Sequence, residues 1–417
     1  SEGFLPGYNF PRLPIRAYVA TGSRDGEFIA RPRFLAVTEF GPRNLLYHEG
    51  RKYRVVRTQI PGGNISQRFV RAKLCNVCGY FHEGEAAERD LCERCGTVLD
   101  AGTSDYSKHF FEMTDVVTQP VERITCDEEE RVREGYHVTS HFRFAPAPEG
   151  VRRYEAEAQD AEGIPLLRLT FGPAATLWRL NHGWRRSREL GFHLDTRKGY
   201  WARRPDAPED RDPFSTPGEI LSGVRLLVRD TRNILLIHPL PLRGGEPGRG
   251  SEVDKALLAS LQAALQRGIE AVFQIAEEEL AAERIGQGEH RAILLWEAAE
   301  GGLGVLARLV EDPDALAEVA QAALEICHFT PDGRDLRPPQ DPEGCARACY
   351  DCLLSYRNQW DHGLLNRHLV RDWLLRLAAG RVQLRHDLRD REAHYQWLLE
   401  RTDPASELER RFLQHLY

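Results

Sequence analysis

Apolar and polar residues alternate with a period of two in short stretches of the N-terminal half, as is typical of β-strands. Turn-forming residues separate these stretches. One connection, Asp160-Ala161-Glu162-Gly163, has the length of a hairpin loop. The pattern predicts strands over residues 15–19, 34–38, 45–48, 53–58, 136–144, 151–159 and 164–171.

The C-terminal half combines apolar strands with longer helices. Strands are predicted over residues 224–228, 234–238 and 292–296, and apolar residues three and four apart predict a long helix after Ser251. A second helix begins at Asp312-Pro313 and ends near Cys327, and a third covers residues 364–379. The fold class is therefore α+β, with a β-rich N-terminal module and an α/β C-terminal module.

Composition limits the kinds of partner. The chain has 417 residues, 41 % of them hydrophobic and 29 % charged, which is enough for a sizeable core and two or three domains. Its formal charge of -7 argues against a generally basic surface, so nucleic acid would need a local basic patch. Neither a signal peptide nor a membrane-spanning apolar run is evident, so we expect a cytoplasmic protein without a membrane partner.

Eight of the nine cysteines form two sets with metal-ligand spacing. The first set has two Cys-x-x-Cys pairs, each followed by a glycine that suits the tight turn of a chelating loop. Disulfides or a redox pair are the alternatives, but no thioredoxin-like pattern surrounds the pairs. Four thiolates leave no open position for water, so we expect a structural zinc ribbon. Its predicted ligands are Cys75, Cys78, Cys92 and Cys95.

In the second set, a loop rich in Pro, Asp and Gly separates one cysteine from a compact group of three. A metal can replace the missing hydrophobic core of such a loop. We favour zinc over an iron–sulfur cluster, although both use thiolate ligands. The predicted ligands are Cys327, Cys345, Cys349 and Cys352, and His328, His362 or His368 could replace one of them.

Arginines alternate with aromatic residues across residues 178–204, with few acids between them. Arginines bind phosphates and aromatic rings stack on bases, so this segment could follow a single nucleic acid strand. A β-sheet with its aromatic residues inward and its arginines in solvent gives the same alternation, and both interpretations stay open. The candidate DNA-binding residues are Arg179, Trp184, Arg185, Arg186, Arg188, Arg197, Lys198, Trp201 and Arg203.

Two other segments have possible chemistry. Residues 297–304, which include three glycines and two glutamates, connect a strand to a helix and could bind phosphate, but a tight turn is the simpler interpretation. Residues 355–359 follow the last cysteine. Arg357 there is a further candidate for DNA contact, and support of the zinc loop is an equally good interpretation of this segment.

The sequence Leu-Leu-Trp-Glu-Ala-Ala-Glu-Gly-Gly-Leu-Gly at residues 294–304, then Cys327, then Cys-Tyr-Asp-Cys-Leu-Leu-Ser-Tyr-Arg-Asn-Gln at residues 349–359, resembles the MrfA-type zinc-binding domain. That family lies at the C-terminus of superfamily 2 DEAD/DEAH-box helicases and in partners of helicases in antiphage systems such as DISARM and Druantia. Residues 5–11 and 39–42 resemble the segment after the second RecA-like module of those helicases. Ala348 is a departure, since the family usually has glycine there.

The resemblance implies a C-terminal accessory region of an ATP-dependent DNA helicase, or a separate subunit serving one, in DNA repair or phage defence. Its DNA would be single-stranded or forked. Neither a phosphate-binding loop nor a DEAD-type box occurs in the sequence, so we expect no ATPase activity from this chain alone. The alternative is a non-catalytic protein-interaction platform for a helicase or another partner, which the acidic net charge favours.

Five segments make up the predicted organisation. The amphipathic pattern after Ser406 has no helix-stop signal, so we expect further sequence beyond Tyr417. The segments are a β-rich module after a helicase core (1–70), the zinc ribbon (71–102), a β-rich continuation and linker (103–218), an α/β zinc-binding domain (219–380) and the helical start of a truncated domain (381–417).

Overall fold

The computed structural model describes most of the chain between residues 13 and 385. The described residues are 13–20, 26–60, 65–123, 135–148, 150–185, 187–202, 219–240, 252–298, 302–340 and 344–385, with residues 395, 399, 411 and 413. Within these ranges, mixed sheets dominate and five helices pack on them, which confirms the α+β class. None of the described helices combines the length and apolar character needed to cross a membrane.

The elements follow in chain order. The first strands are β1 (Ile15–Ala20), β2 (Gly26–Arg31), β3 (Leu45–His48), β4 (Arg51–Thr58), β5 (Phe69–Cys75), β6 (Phe81–Glu83), β7 (Ser104–Glu112), β8 (Val116–Arg123), β9 (Tyr136–Arg143), β10 (Pro146–Ala147) and β11 (Gly150–Val151). The later strands are β12 (Tyr154–Gln159), β13 (Pro165–Trp184), β14 (Phe192–Asp195), β15 (Trp201–Ala202), β16 (Ile220–Pro239), β17 (Leu280–Ile285), β18 (Ala292–Glu297) and β19 (Arg381–Leu384). The helices are α1 (Arg33–Glu39), α2 (Glu252–Phe273), α3 (Val305–Glu311), α4 (Ala315–Ile326) and α5 (Arg367–Ala378).

Two sheets organise the described residues. The smaller has five strands in the order β2-β1-β8-β4-β3. The larger has twelve strands and follows the path β19-β12-β13-β16-β7-β5-β6, with β9 beside β13 and with β18 and β17 beside β16. Its two longest strands, β13 and β16, are antiparallel neighbours of twenty residues each. These strands support both cysteine regions.

Helix α1 corrects one prediction. Residues 34–38 were expected to be a strand because they include β-branched and aromatic residues, but they lie in the seven-residue helix α1. Its buried residues Ala36 and Val37 pack in the same core as the five-stranded sheet. The Asn181 side chain also donates a hydrogen bond to the Val37 carbonyl, so tertiary packing decides the helical form.

The predicted module boundary at residue 218 does not separate two sheets. β13 precedes it in sequence and β16 follows it, and the two strands pair from Leu167–Pro239 to Asn181–Leu226. The predicted strands at 224–228 and 234–238 are both parts of β16. The polar composition of residues 205–218 suggested a domain linker. Composition alone cannot distinguish such a linker from a connection between two paired strands.

The boundary at residue 380 differs in a similar way. Residues 381–384, at the start of the segment predicted for a further domain, form β19, which pairs with β12 at one edge of the large sheet. The helix predicted from Ser406 lies almost wholly outside the described residues. Helices α2, α4 and α5 and the second cysteine region share one apolar core with β12, β13, β16 and β18.

Candidate metal centres and nucleic-acid surface

The first cysteine set comes together beside the large sheet. Strand β5 ends at Cys75, a turn leads to Cys78, and a second turn supplies Cys92 and Cys95. The four sulfur atoms lie within 4.8 Å of one another, and the Cys75–Cys95 and Cys78–Cys92 sulfur pairs are 3.7 and 3.6 Å apart. These distances are far too long for disulfides. They are close to the edges of about 3.8 Å that a tetrahedron with metal–sulfur bonds of about 2.3 Å requires.

Both turns of the first set have the backbone geometry predicted from their glycines. Gly79 and Gly96 have φ angles of 78° and 71°, which glycine adopts without strain. The amide groups of these glycines donate to the Cys75 and Cys92 carbonyls and close each turn. Hydrogen bonds from Cys78 and Cys92 lower the pKa of the Cys75 thiol, and the contact with Cys75 raises the pKa of the Cys78 thiol, so the two sulfurs share a proton unequally when no metal is bound.

Arg94 connects the first metal cluster to the large sheet. One guanidinium nitrogen donates to the Cys78 carbonyl, another lies 3.1 Å from His238 of β16, and the group sits 5.2 Å from the centre of the Phe142 ring. Burial lowers the pKa of His238 to about 3, so this imidazole is neutral and can accept the hydrogen bond. The ribbon is therefore part of the body of the sheet.

The second cluster differs from the expected set of four cysteines. Cys345, Cys349 and Cys352 lie together as predicted, but the fourth group within 4.8 Å is His328. Its Nε2 is 3.2 Å from the Cys349 sulfur, and the Cys352 sulfur is 3.6 Å from Cys349 and 3.9 Å from Cys345. Cys327, the predicted fourth ligand, lies outside this group of four.

The end of helix α4 places Cys327 and His328, the two candidates for the fourth ligand, in different environments. Cys327 is the C-cap of α4, and its fully buried side chain belongs to the apolar core. His328 then adopts a left-handed conformation with φ of 63°, which is uncommon for a residue other than glycine. Burial also lowers the pKa of His328 and favours the neutral imidazole that can bind a metal.

Arg367 holds the loops of the second cluster in place. This arginine at the start of α5 is completely buried. Its guanidinium donates to the carbonyls of Cys327, Cys345 and Arg337, and to the Asp335 carboxylate at 2.7 Å. A charged group buried to this degree needs such partners. The same bonds set the positions of the chain segments on both sides of the cluster.

Both donor sets suit zinc. Four sulfurs, or three sulfurs and one imidazole, are the usual ligands of structural zinc sites. A set with one histidine is less typical of an iron–sulfur cluster, whose usual ligands are four cysteines. With four protein donors in each cluster, zinc would have no open position for a reacting water, so its effect would be to hold loops together.

The aromatic residues of the segment 178–204 mostly face the interior. Trp178 stacks on Phe81 at a centroid distance of 4.1 Å, and Trp201, only 5 % exposed, lies in the core with Phe111 and Phe192. Trp201 therefore has no free face for a base, which corrects its predicted role. Half-buried Trp184 stacks on Tyr136. The alternative of a sheet with inward aromatic residues describes this segment better.

The basic residues of that segment have mixed environments. Arg185, Arg188 and Arg197 are exposed, whereas Arg179 and Lys198 are half-buried. Arg186 and Arg203 lie outside the described residues. Arg185 and Arg188 have no ion-pair partner among the described residues. They therefore remain available to bind phosphate.

Glu297 binds the far end of the glycine-rich segment 297–304, of which residues 299–301 lie outside the described residues. Its buried carboxylate accepts hydrogen bonds from the amides of Leu303 and Leu306 and from the Asn233 side chain. Gly302 and Gly304 both have positive φ angles. The carboxylate thus closes the turn between β18 and α3, in agreement with the simpler interpretation of this sequence.

The segment 355–359 supports the second cluster loop, as one of its two interpretations proposed. Asn358 accepts a hydrogen bond from the Ser355 amide and donates one to the Leu353 carbonyl. Arg357 donates to the Glu277 carbonyl and lies 3.4 Å from the Glu278 carboxylate. Arg357 is therefore already neutralised, which weakens its candidacy as a DNA contact.

Sequence reasoning named His328 only as a possible substitute ligand and passed over Trp360. For His328, the sequence signal is a Cys-His pair at the end of a predicted helix. For Trp360, the signal is its position in the polar stretch Arg-Asn-Gln-Trp-Asp-His. This stretch lacks the apolar periodicity of a buried helix or strand.

Comparison with known proteins gives one match to a family and one similar solved structure of note. Residues 261–353 match the model of the MrfA Zn-binding domain. A chain in the crystal structure of the DUF1998 helicase MrfA bound to DNA aligns with 87 % of this chain at 10 % identity and a TM-score of 0.40. The alignment covers 34 % of that chain, so this protein spans about a third of its length. No curated protein matches.

The matched range includes every residue of the second cluster, from His328 to Cys352. It also includes helices α3 and α4 and most of α2, which pack around that cluster. Residues 261–353 of this chain are therefore an MrfA-type zinc-binding region.

Proposed function

We propose that this chain is a zinc-binding accessory region of an ATP-dependent superfamily 2 DNA helicase. The helicase motor would belong to the same longer protein or to a partner subunit. The observation that supports this most directly is the match of residues 261–353 to the MrfA Zn-binding domain, together with four suitable donors gathered inside the matched range. Both clusters would hold zinc, and His328 would be the fourth ligand of the second.

Zinc in this proposal has a structural role. Each cluster joins chain segments that are separated in sequence: two turns in the first, and the end of α4 with the loop before α5 in the second. Rigid loops can present side chains to DNA at low entropic cost. The accessory region would contact single-stranded or forked DNA and support strand separation by the motor, in DNA repair or antiphage defence. Such work places the protein in the cytoplasm.

A protein-interaction platform is the second candidate. The formal charge of -7 favours it, since DNA binding usually relies on a positive surface. Three observations of the candidate DNA residues point the same way: Trp201 is buried, Trp184 stacks internally and Arg357 is paired with acids. In this case the surface would dock a helicase or another repair or defence partner.

Fluorescence anisotropy of labelled single-stranded, duplex and forked DNA with the zinc-loaded chain separates the two candidates. The accessory-region proposal expects binding that prefers single-stranded or forked DNA. The affinity should fall steeply with salt, because phosphate contacts release counterions. If no DNA binds even at low salt, the proposal fails in its DNA-binding part and the protein-interaction platform becomes the better account.

A further inference from the structure

Two aromatic side chains project into solvent from the loop that follows the second cluster. Trp360 is 86 % exposed and Tyr356 is 84 % exposed, the highest values among large hydrophobic residues in the described part of the chain. An isolated exposed aromatic residue needs no explanation. Two such rings four residues apart on one loop form an unusual surface, because each leaves most of its apolar area in water.

The loop that presents these rings is held firmly on its inner side. Asn358 bonds to the backbone at Ser355 and Leu353, and the His362 imidazole lies 3.0 Å from the Ser355 carbonyl. Asp361 pairs with Arg284 of β17 at 2.7 Å. Asn358, Asp361 and His362 therefore fix the shape of the loop from its inner side, while Tyr356 and Trp360 stay outside. A fixed ring binds a flat ligand with little loss of side-chain entropy.

A free cation from the other half of the chain reaches this loop. Arg185, which directly follows β13, places its guanidinium 5.2 Å from the centre of the Trp360 ring. Arg188, three residues later in sequence, is also exposed, and neither arginine has a carboxylate partner among the described residues. The acids around the loop are occupied, since Asp361 pairs with Arg284 and Glu278 with Arg357. Arg357 is shared by the Glu277 and Glu278 carboxylates, so Arg185 is the unpaired cation that the described residues place beside Trp360.

We propose that Tyr356 and Trp360 form a stacking platform for the bases of single-stranded DNA, with Arg185 and Arg188 binding the adjacent phosphates. Aromatic faces combined with unpaired arginines are the usual means of binding a single strand without sequence preference. Duplex DNA keeps its bases stacked on each other and offers no free base face to the rings. The platform rests on the proposed function, which it makes specific by naming the DNA form and the residues.

The experiment compares three variants of the full zinc-loaded chain by anisotropy with labelled oligothymidine. Trp360→Ala should weaken binding roughly tenfold, in line with the loss of one base–aromatic stack. Trp360→Phe keeps a ring and should retain most of the affinity, while it removes any DNA-induced quenching of Trp360 fluorescence. Phe28→Ala is the matched control: Phe28 is also exposed and also lies beneath an arginine, Arg16 at 4.9 Å, but it belongs to the five-stranded sheet.

The outcomes distinguish the platform from the proposed function. Loss of affinity in Trp360→Ala, with normal binding in Phe28→Ala and unchanged zinc content in both, supports the platform. If the unmodified chain binds single-stranded DNA and Trp360→Ala binds equally well, the platform is wrong and the proposed function stands. If the unmodified chain binds no DNA, the DNA-binding function itself fails, and the exposed rings then favour a protein partner.

Discussion

At the scale of single residues, Cys327 and His328 show how one backbone angle separates two candidate metal ligands. Both are adjacent to the second cluster in sequence, and both side chains can bind zinc. The helical path of α4 directs Cys327 into the apolar core, where burial raises the pKa of its thiol. The positive φ of His328 turns the chain sharply and brings its imidazole within 3.2 Å of the Cys349 sulfur.

We therefore expect His328→Ala to reduce the zinc content of the purified chain from two equivalents to one. Three remaining sulfurs would bind the second zinc more weakly, with water as the fourth ligand. Elemental analysis after dialysis measures the stoichiometry. Cys327→Ala is the paired variant and should keep both zinc ions, because its sulfur lies outside the cluster. The opposite result, a zinc lost from Cys327→Ala and kept in His328→Ala, would restore the four-cysteine assignment.

At the scale of elements, the second cluster depends on a helix that contributes none of its ligands. Helix α5 begins with buried Arg367, which donates to carbonyls of the loop segments that contain Cys327 and Cys345. The capping Asn366 accepts a hydrogen bond from the His368 amide and fixes the start of this helix. The helix and the metal thus hold the same loop from two sides.

Arg367→Met should weaken zinc binding at the second cluster by about tenfold to a hundredfold, as expected when groups that position metal ligands are lost. Methionine fills a similar volume but leaves the loop carbonyls and Asp335 without their donor. Competition with a chromophoric chelator gives the affinity. Arg371→Met on the same helix is the control, since Arg371 is exposed and pairs only with its neighbour Asp372. Equal affinity in both variants would contradict the role assigned to Arg367.

At the scale of the whole molecule, the large sheet links the two predicted modules into one body. Phe81 of β6 stacks on Trp178 of β13, and β13 pairs along most of its length with β16. Strand β16 in turn pairs with β18, which packs against the helices of the zinc-binding region. The described residues form several apolar clusters along this path, and β13 and β16 contribute to more than one of them.

Heating the zinc-loaded chain should therefore give one main cooperative unfolding transition. Phe81→Ala should lower that transition as a whole, because the loss of a buried phenylalanine costs about 3–5 kcal/mol. Differential scanning calorimetry tests this expectation. Leu91→Ala is a suitable control, since Leu91 is an exposed residue near the first cluster. Two separate transitions, with Phe81→Ala shifting only one, would indicate independent modules instead.

Features with local causes could be predicted from the amino-acid sequence alone. Cys75 and Cys78 share one tight turn, as do Cys92 and Cys95, so spacing alone predicted the first cluster. The helical periods of α2, α4 and α5 were evident for the same reason. The resemblance of residues 349–359 to the MrfA-type domain also depends on a contiguous motif, and the match to residues 261–353 confirms it.

Only the tertiary structure decided features that depend on distant contacts. The alternation of aromatic and basic residues placed Trp178 and Trp201 in a strand pattern. Contacts with distant residues such as Phe81 and Phe111 decide which face of the strand is buried. Residues 33–39 are helical because packing outweighs a β-like composition. The position of His328, and not Cys327, within 4.8 Å of the three other cysteines depends on the path of α4. In each case the deciding energy comes from residues far away in sequence, which local patterns cannot include.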